Sequence, residues 1–348
     1  MSQSTKFLIA GLGSIGRRHF RNLIALGETD IVLLRSHRAT LSDDELAGYP
    51  VETDLTESLK KHKPDAVIVA NPTALHLNVA IPAAEAGCHI LLEKPISGST
   101  AELSQLESAV KKSGSKVLVA FQFRFHPGLM RAKQLISNSE IGRVISAHVH
   151  FGEYLPAWHP WEDYRQGYAA RSDLGGGVVL TQCHSLDYLP WLVGNVISVW
   201  GFTGKLSDLE VDVEDTAEIG LRFESGALGN LHLDFNQQPP AHRFEIIGTK
   251  GTIKWDLSDG ATRIYRASAE SLAISTGKDI KAGGEWESYA LPEGWERNVM
   301  FLDQMKHFVD VVKGNAEPTC PLDAGVRVQK LVEAIHTSNN TRQLVDLA

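Results

Sequence analysis

Two side chains stand out for the chemistry they could do. Lys94 sits in Glu93-Lys94-Pro95, directly after the apolar run 89–92. An ammonium at the C-terminal edge of a buried strand, in a partly dry crevice, can have a depressed pKa and move protons. Pro95 restrains the backbone after it and admits a cis peptide bond, which would aim the amine into that crevice. A surface Glu–Lys pair ahead of a loop is the plainer alternative. His184 lies in DLGGGVVLTQCHSLDYLPW, residues 173–191, where Gly175, Gly176 and Gly177 open a helix and permit close approach of a ligand or another backbone. Asp187 follows at i,i+3, so both residues share a helix face, and a carboxylate there would fix the imidazole tautomer for acid or base work near neutral pH. A purely structural helical histidine is the alternative, and Pro190 is expected to kink or end the helix.

A proton-transfer pair needs a reaction to serve, and the N-terminus points to one. The stretch FLIAGLGSIGRRH, residues 7–19, reads as a buried strand, a glycine-rich turn and a helix. Gly11 permits the tight turn, Gly13 lets the backbone approach phosphates, Gly16 lets the helix pack on the strand, and the amides around Ser14 and Ile15 face the anion. A second apolar run, 31–34, follows at βαβ spacing, which separates this reading from a glycine turn that only packs. After that run an NAD-selective site would place an acid, but the chain has Arg35, Ser36 and Arg38. Guanidinium and hydroxyl donors suit a 2′-phosphate, so NADP is expected over NAD, with a solvated basic loop as the alternative.

Substrate candidates lie in the aromatic segment 154–171, YLPAWHPWEDYRQGYAAR. Tyr154, Trp161 and Arg165 combine aromatic faces with a charged fork, a mixture suited to a polyhydroxylated ring. A packed interdomain or subunit loop has an equal claim on the same residues. No metal site is expected: His159 and His184 could meet, but no thiolate or His-rich spacing supports them. Ser14 lies in no nucleophile elbow, which leaves hydrolase chemistry without support.

The elements that must position these residues form two patterns. Short apolar runs at 7–10, 31–34, 66–70, 89–92 and 117–121 alternate with helical stretches such as 74–86 and 101–112, as in a doubly wound parallel sheet. Ser99 or Thr100 is expected to cap the second of these helices. Strand-to-helix loops 11–16, 71–76 and 93–97 would line one edge of the sheet. Beyond a helix at 127–137, strand candidates at 144–150, 197–203, 215–223, 226–235, 242–247 and 251–255 are joined by glycine-containing turns, which argues for a largely antiparallel sheet. Helices are expected at 296–313 and 322–338, and 268–285 reads as a mobile loop. The expected domains are 1–122 and 123–348, consistent with a 348-residue chain too long for one core. A net charge of −8 argues against nucleic-acid or membrane-surface partners. Three scattered cysteines, Cys88, Cys183 and Cys320, fit a reducing cytoplasm, and no signal peptide or membrane span is expected.

These signals, in this order, resemble the glucose-fructose oxidoreductase, inositol dehydrogenase and MocA (Gfo/Idh/MocA) family. The resemblance rests on GLGSIGRRH at 11–19, ANPTALH at 70–76, LLEKPIS at 91–97, FQFRFHP at 121–127, LGGGVVLTQCHSLDYL at 174–189, VEDTAEIGLRFESGALG at 213–229 and IIGTKGTIKWD at 246–256. It implies an N-terminal Rossmann domain and a C-terminal α/β domain whose open, mainly antiparallel sheet often forms an oligomer interface, here of a homodimer or homotetramer. It also implies hydride exchange between a nicotinamide and a carbon of a sugar, cyclitol or nucleotide sugar. Lys94 would hydrogen-bond the reacting oxygen, and Asn71, Pro72, Thr73, His76, Glu93 and Gln122 would join the cofactor site. His184 would be the acid, base or orienting residue, with Arg124 and Thr181 near the substrate. Many family members carry an Asp four residues before the histidine; here Leu180 holds that position, and the Gly177–His184 interval is one residue short. That gap keeps two further readings open, a non-catalytic dinucleotide-dependent regulator and an enzyme that recycles a tightly held cofactor in each turnover.

Overall fold

The computed structural model describes residues 4–35, 44–267 and 286–347. In chain order its elements are β1 (Phe7–Ala10), α1 (Ser14–Ala25), β2 (Ile31–Leu34), β3 (Val51–Glu52), α2 (Leu55–His62), β4 (Ala66–Val69), α3 (His76–Glu85), β5 (His89–Leu92), α4 (Leu103–Ser113), β6 (Val117–Val119), α5 (Pro127–Ser137), β7 (Val144–Gly152), α6 (Val178–Thr181) and α7 (His184–Val193). Then come β8 (Val196–Gly204), β9 (Thr216–Phe223), β10 (Leu228–Asp234), β11 (Ala241–Gly248), β12 (Gly251–Asp256), β13 (Thr262–Arg266), β14 (Trp286–Tyr289), α8 (Arg297–Val312), α9 (Leu322–Thr341) and β15 (Val345–Asp346). Packing divides the chain into two units. The first comprises 1–122, 161–181 and 297–330; the second comprises 123–160, 182–296 and 331–348. The chain passes between them repeatedly rather than at a single boundary.

The first unit is a six-stranded sheet of order β3-β2-β1-β4-β5-β6, every pair parallel. Its central strands FLIA and AVIV are buried at every residue, as a sheet covered on both faces requires. Asp54 caps α2 by accepting from the Glu57 amide (2.8 Å), while Lys60, Lys61 and His62 close its last turn, in accord with the helix dipole. The expected Ser or Thr cap of α4 is not formed. Its N-cap residue is Glu102, without a side-chain cap, because Ser99 and Thr100 lie in the preceding turn, where the Thr100 carbonyl accepts from Leu103. Segment 297–330 returns to this unit: Phe308 of α8 packs on Phe7, and the Cys320 carbonyl takes the Val119 amide (2.8 Å).

The second unit carries a nine-stranded sheet of order β14-β13-β12-β11-β7-β10-β9-β8-β15. It is antiparallel except for β7 and β10, which run parallel with His150 opposite His232. Short turns join β9 to β10, β11 to β12 and β12 to β13, but the chain between β7 and β10 makes a long excursion, which allows the parallel pair. Strict alternation along β9 puts Ala217, Ile219, Leu221 and Phe223 in the core and leaves Glu218 and Arg222 exposed. The expected loop at 268–285 lies outside the described residues, and β13 and β14 flank it. Among the described residues, no helix is long and apolar enough to cross a membrane.

Candidate functional site

In the first unit the turn after β1 is made by three glycines with different duties. Gly11 adopts φ +94°, and a Cβ there would stand 2.5 Å from the Asn71 nitrogen. At Gly16 a Cβ would stand 2.0 Å from the Gly11 carbonyl oxygen, so only glycine lets α1 begin this close to the turn. Gly13 is different: it is exposed, and a Cβ there would meet nothing within 4 Å. Ser14 and Ile15 start α1 beside this open space, with no acidic residue in the first turn. Amides without helical partners, a dipole end and clear space together fit a pyrophosphate.

Two neighbouring residues, neither of them among the expected site residues, brace the turn. Arg17 is buried, donating Nε to the Leu12 carbonyl (3.0 Å) and Nη1 to Glu45 (3.1 Å). His19 Nε2 lies 2.7 Å from Glu93 Oε1, both side chains buried, and so ties α1 to the strand end that carries Lys94. Burial works to raise the Glu93 carboxyl pKa, but the bond from His19 and the charges of His19 and Lys94 outweigh it and hold the pKa low. His19 stands one turn after Gly16 on the packed face of α1, the one signal that could have exposed it.

The loops expected at the strand ends do converge. His76 Nδ1 lies 2.8 Å from the Pro95 carbonyl and Nε2 2.9 Å from the Asn71 carbonyl, so one ring joins loop 71–76 to loop 93–97. Burial lowers the His76 pKa, and a neutral ring donates to one of the two carbonyls at a time. Asn71 donates Nδ2 to the Leu75 carbonyl (3.0 Å), with Pro72 at the head of a short 3₁₀ turn. Thr73 is buried with its side chain against Gly175. The Lys94–Pro95 peptide bond is cis, and Lys94 Nζ donates to the Thr181 carbonyl (2.9 Å). Gln122 is buried at the start of the 3₁₀ turn after β6. Arg35 follows β2 with its side chain largely buried, while Ser36 and Arg38 lie outside the described residues.

The aromatic segment is less convergent. Trp161 is 60% exposed, and Arg165 turns its fork on Asp163 (Nη2–Oδ2 2.9 Å) because the two residues share one tight turn. Tyr154 caps a 3₁₀ turn in the second unit. Gly176 packs on the backbone of 168–171, since a Cβ there would stand 2.5 Å from the Tyr168 carbonyl; of the two readings of this glycine run, close approach of another backbone is the one observed.

In the second unit α7 starts at His184, after a break at Gln182 and Cys183, and runs through Pro190 to Val193. Pro190 does not end the helix where expected: it falls in the last turn, three residues before the end at Val193, and the Gly194 amide still bonds the Pro190 carbonyl. Asp187, expected to orient His184, is engaged by Arg124. Asp187 accepts a two-point ion pair from Arg124, Nε–Oδ2 2.9 Å and Nη2–Oδ1 2.6 Å, with the carboxylate only 2% exposed. A guanidinium fork matches both carboxylate oxygens, which an imidazole cannot do. His184 itself is buried, with the Phe123 ring edge-on at 5.0 Å.

A six-stranded doubly wound sheet with this turn defines a dinucleotide-binding unit, here joined to an open-sheet unit. Residues 5–121 match the oxidoreductase family with an NAD-binding Rossmann fold, and residues 129–254 match the GFO/IDH/MocA C-terminal domain. The uncharacterized oxidoreductase YrbE of Bacillus subtilis is 30% identical over 95% of this chain and 93% of its own length. A D-xylose 1-dehydrogenase (NADP(+)) of Haloferax volcanii is 25% identical over 98% and 99%. In fold, a levoglucosan dehydrogenase solved with NADH and levoglucosan superposes with a TM-score of 0.83 at 22% identity, covering 99% of each chain. The chain belongs to the Gfo/Idh/MocA family of NAD(P)-dependent oxidoreductases.

Proposed function

We propose that this protein transfers hydride between NADP and a CH–OH carbon of a sugar, cyclitol or nucleotide sugar, with Lys94 and His184 handling the hydroxyl proton. The observation that carries this reading is the held ammonium of Lys94. It donates to the Thr181 carbonyl and its charge acts on buried Glu93, in the same unit as the phosphate-fitting turn. When bound, the nicotinamide supplies the hydride acceptor or donor. Lys94 hydrogen-bonds the reacting oxygen and stabilises the charge that develops there, and His184 exchanges its proton. The names of two relatives, a D-xylose 1-dehydrogenase (NADP(+)) and a myo-inositol 2-dehydrogenase, support the substrate class. Arg35, with Ser36 and Arg38 after it, supports the preference for NADP, although the solved relative binds NADH. The exposed apolar side chains Trp200, Phe202 and Leu228 on the strands of the open sheet support a homodimer or homotetramer. Three buried free cysteines support action in the cytoplasm.

The test is Lys94→Ala. Turnover across a panel of D-xylose, myo-inositol, levoglucosan and UDP-sugars falls by about 10²–10⁴, while NADP affinity, read by fluorescence, stays within a few-fold. Turnover at the wild-type rate overturns the assignment. A regulator without chemistry is the second reading, favoured by the missing Asp. It predicts no stopped-flow absorbance change with any sugar and either cofactor.

A further inference from the structure

The outer face of the open sheet carries a group of side chains that hydride transfer does not use. Alternation along β7, β10 and β9 turns His150, His232, Asp234 and Glu218 to the same side. His232 stands opposite His150 on one neighbour and opposite Glu218 on the other. The imidazoles of His150 and His232 stack at 4.7 Å with planes 24° apart, and one donor atom from each of His150, His232 and Asp234 lies within 4.8 Å of the others.

We propose that His150, His232 and Asp234 bind a divalent cation of the zinc class, with Glu218 orienting His232 from behind. Two imidazoles and a carboxylate are a familiar ligand set for such an ion. Glu218 Oε1 lies 2.7 Å from His232 Nδ1, which leaves Nε2 facing Asp234 Oδ2 at 3.0 Å. A carboxylate behind a metal-binding imidazole holds its tautomer and ring plane in this way. Asp234 is anchored from its other oxygen: Oδ1 accepts the Asn236 and Gln237 amides, both at 2.6 Å, leaving Oδ2 for the ion. The backbone makes room for it, because a Cβ on Gly152 would stand 2.2 Å from Oδ2. Donors around a tetrahedral ion with bonds of about 2.0–2.1 Å are roughly 3.4 Å apart, so the His232–Asp234 edge is already close to its final length. His150, whose Nε2 meets Gln237 Oε1 at 3.1 Å, exchanges that contact for the ion. These ligands come from distant strands and show no ligand spacing along the chain, so the sequence does not announce them.

The test titrates the full-length, chelator-treated protein with ZnCl₂ by calorimetry and with CoCl₂ by visible absorption. The expected result is one ion per chain, a dissociation constant on the order of micromolar or tighter, and a cobalt band of tetrahedral character. His150→Gln, at a half-exposed position that should leave folding intact, and His232→Ala each weaken binding at least about 100-fold. Glu218→Gln keeps the stoichiometry but weakens binding about 10–100-fold, a loss that a merely structural role for Glu218 would not cause. A protonated His232 bridging Glu218 and Asp234 is the competing account. No saturable uptake by the wild type, or unchanged affinity in the His150→Gln/His232→Ala double variant, overturns the proposal.

Discussion

The first unit builds its candidate site mainly from backbone close to one strand edge, whereas the second builds its own from side chains brought in from distant segments. At Gly11, Gly13 and Gly16 the missing side chain is what matters, and the residues involved fall within one turn and its helix. Around His184 the decisive contacts are a two-point ion pair from Arg124 and a ring from Phe123, both from the turn before α5. The difference teaches where each site is vulnerable: the first to added volume, the second to a lost partner.

The largest effect should come from stranding a partner. Asp187→Ala leaves the Arg124 guanidinium buried without its carboxylate and is expected to lower stability by about 3–5 kcal/mol, measured by urea unfolding. A loss below about 1 kcal/mol would mean that the pair holds nothing in place. In the first unit, Gly16→Ala forces a Cβ onto the Gly11 carbonyl and should lower stability by about 1–3 kcal/mol. A pH effect of intermediate size is expected in the second unit. His126 caps α5 by accepting the Gly128 amide at Nδ1, and burial pushes its pKa down to about 4. Below the ordinary histidine pKa of about 6.5 the unfolded chain binds a proton that the folded chain refuses, so stability falls as pH drops from about 6.5 toward 4. Between pH 7 and 5 this amounts to on the order of 1–2 kcal/mol, and His126→Asn, which keeps a capping oxygen, should flatten the slope. The smallest change in stability is expected at Gly13, where φ is −74° and the space is open: alanine should shift unfolding by less than about 1 kcal/mol. Dinucleotide affinity should nonetheless fall clearly in Gly13→Ala; unchanged affinity would move the phosphates elsewhere.

The same contrast explains what could be read in advance. Buried apolar runs and the glycine turn announce β1, β2, β4 and β5 because their signals are local, and β3 escapes because Val51–Glu52 is too short to show a pattern. Lys94 and its proline are legible for the same reason, while His19 is hidden by the ordinary look of a basic helix. In the second unit the alternation of β7 through β12 is clear, but its pairing is not: nothing in either strand says that β7 lies parallel to β10. The Arg124–Asp187 pair is hidden for the same reason: helical spacing places only His184 beside Asp187, and the fold brings Arg124 to it from a distant segment.

The return of residues 297–330 to the first unit has a consequence for how the protein is made. The sheet is translated by residue 122, yet the Cys320 carbonyl that takes the Val119 amide, and α8 with Phe308 against Phe7, come much later. From residue 122 to residue 330 is 330 − 122 = 208 residues, on the order of 10–40 s of synthesis at ~5–20 residues per second. Throughout that interval the nascent dinucleotide-binding unit lacks part of its cover, so it is expected to be most open to proteases and most dependent on chaperones while still attached to the ribosome.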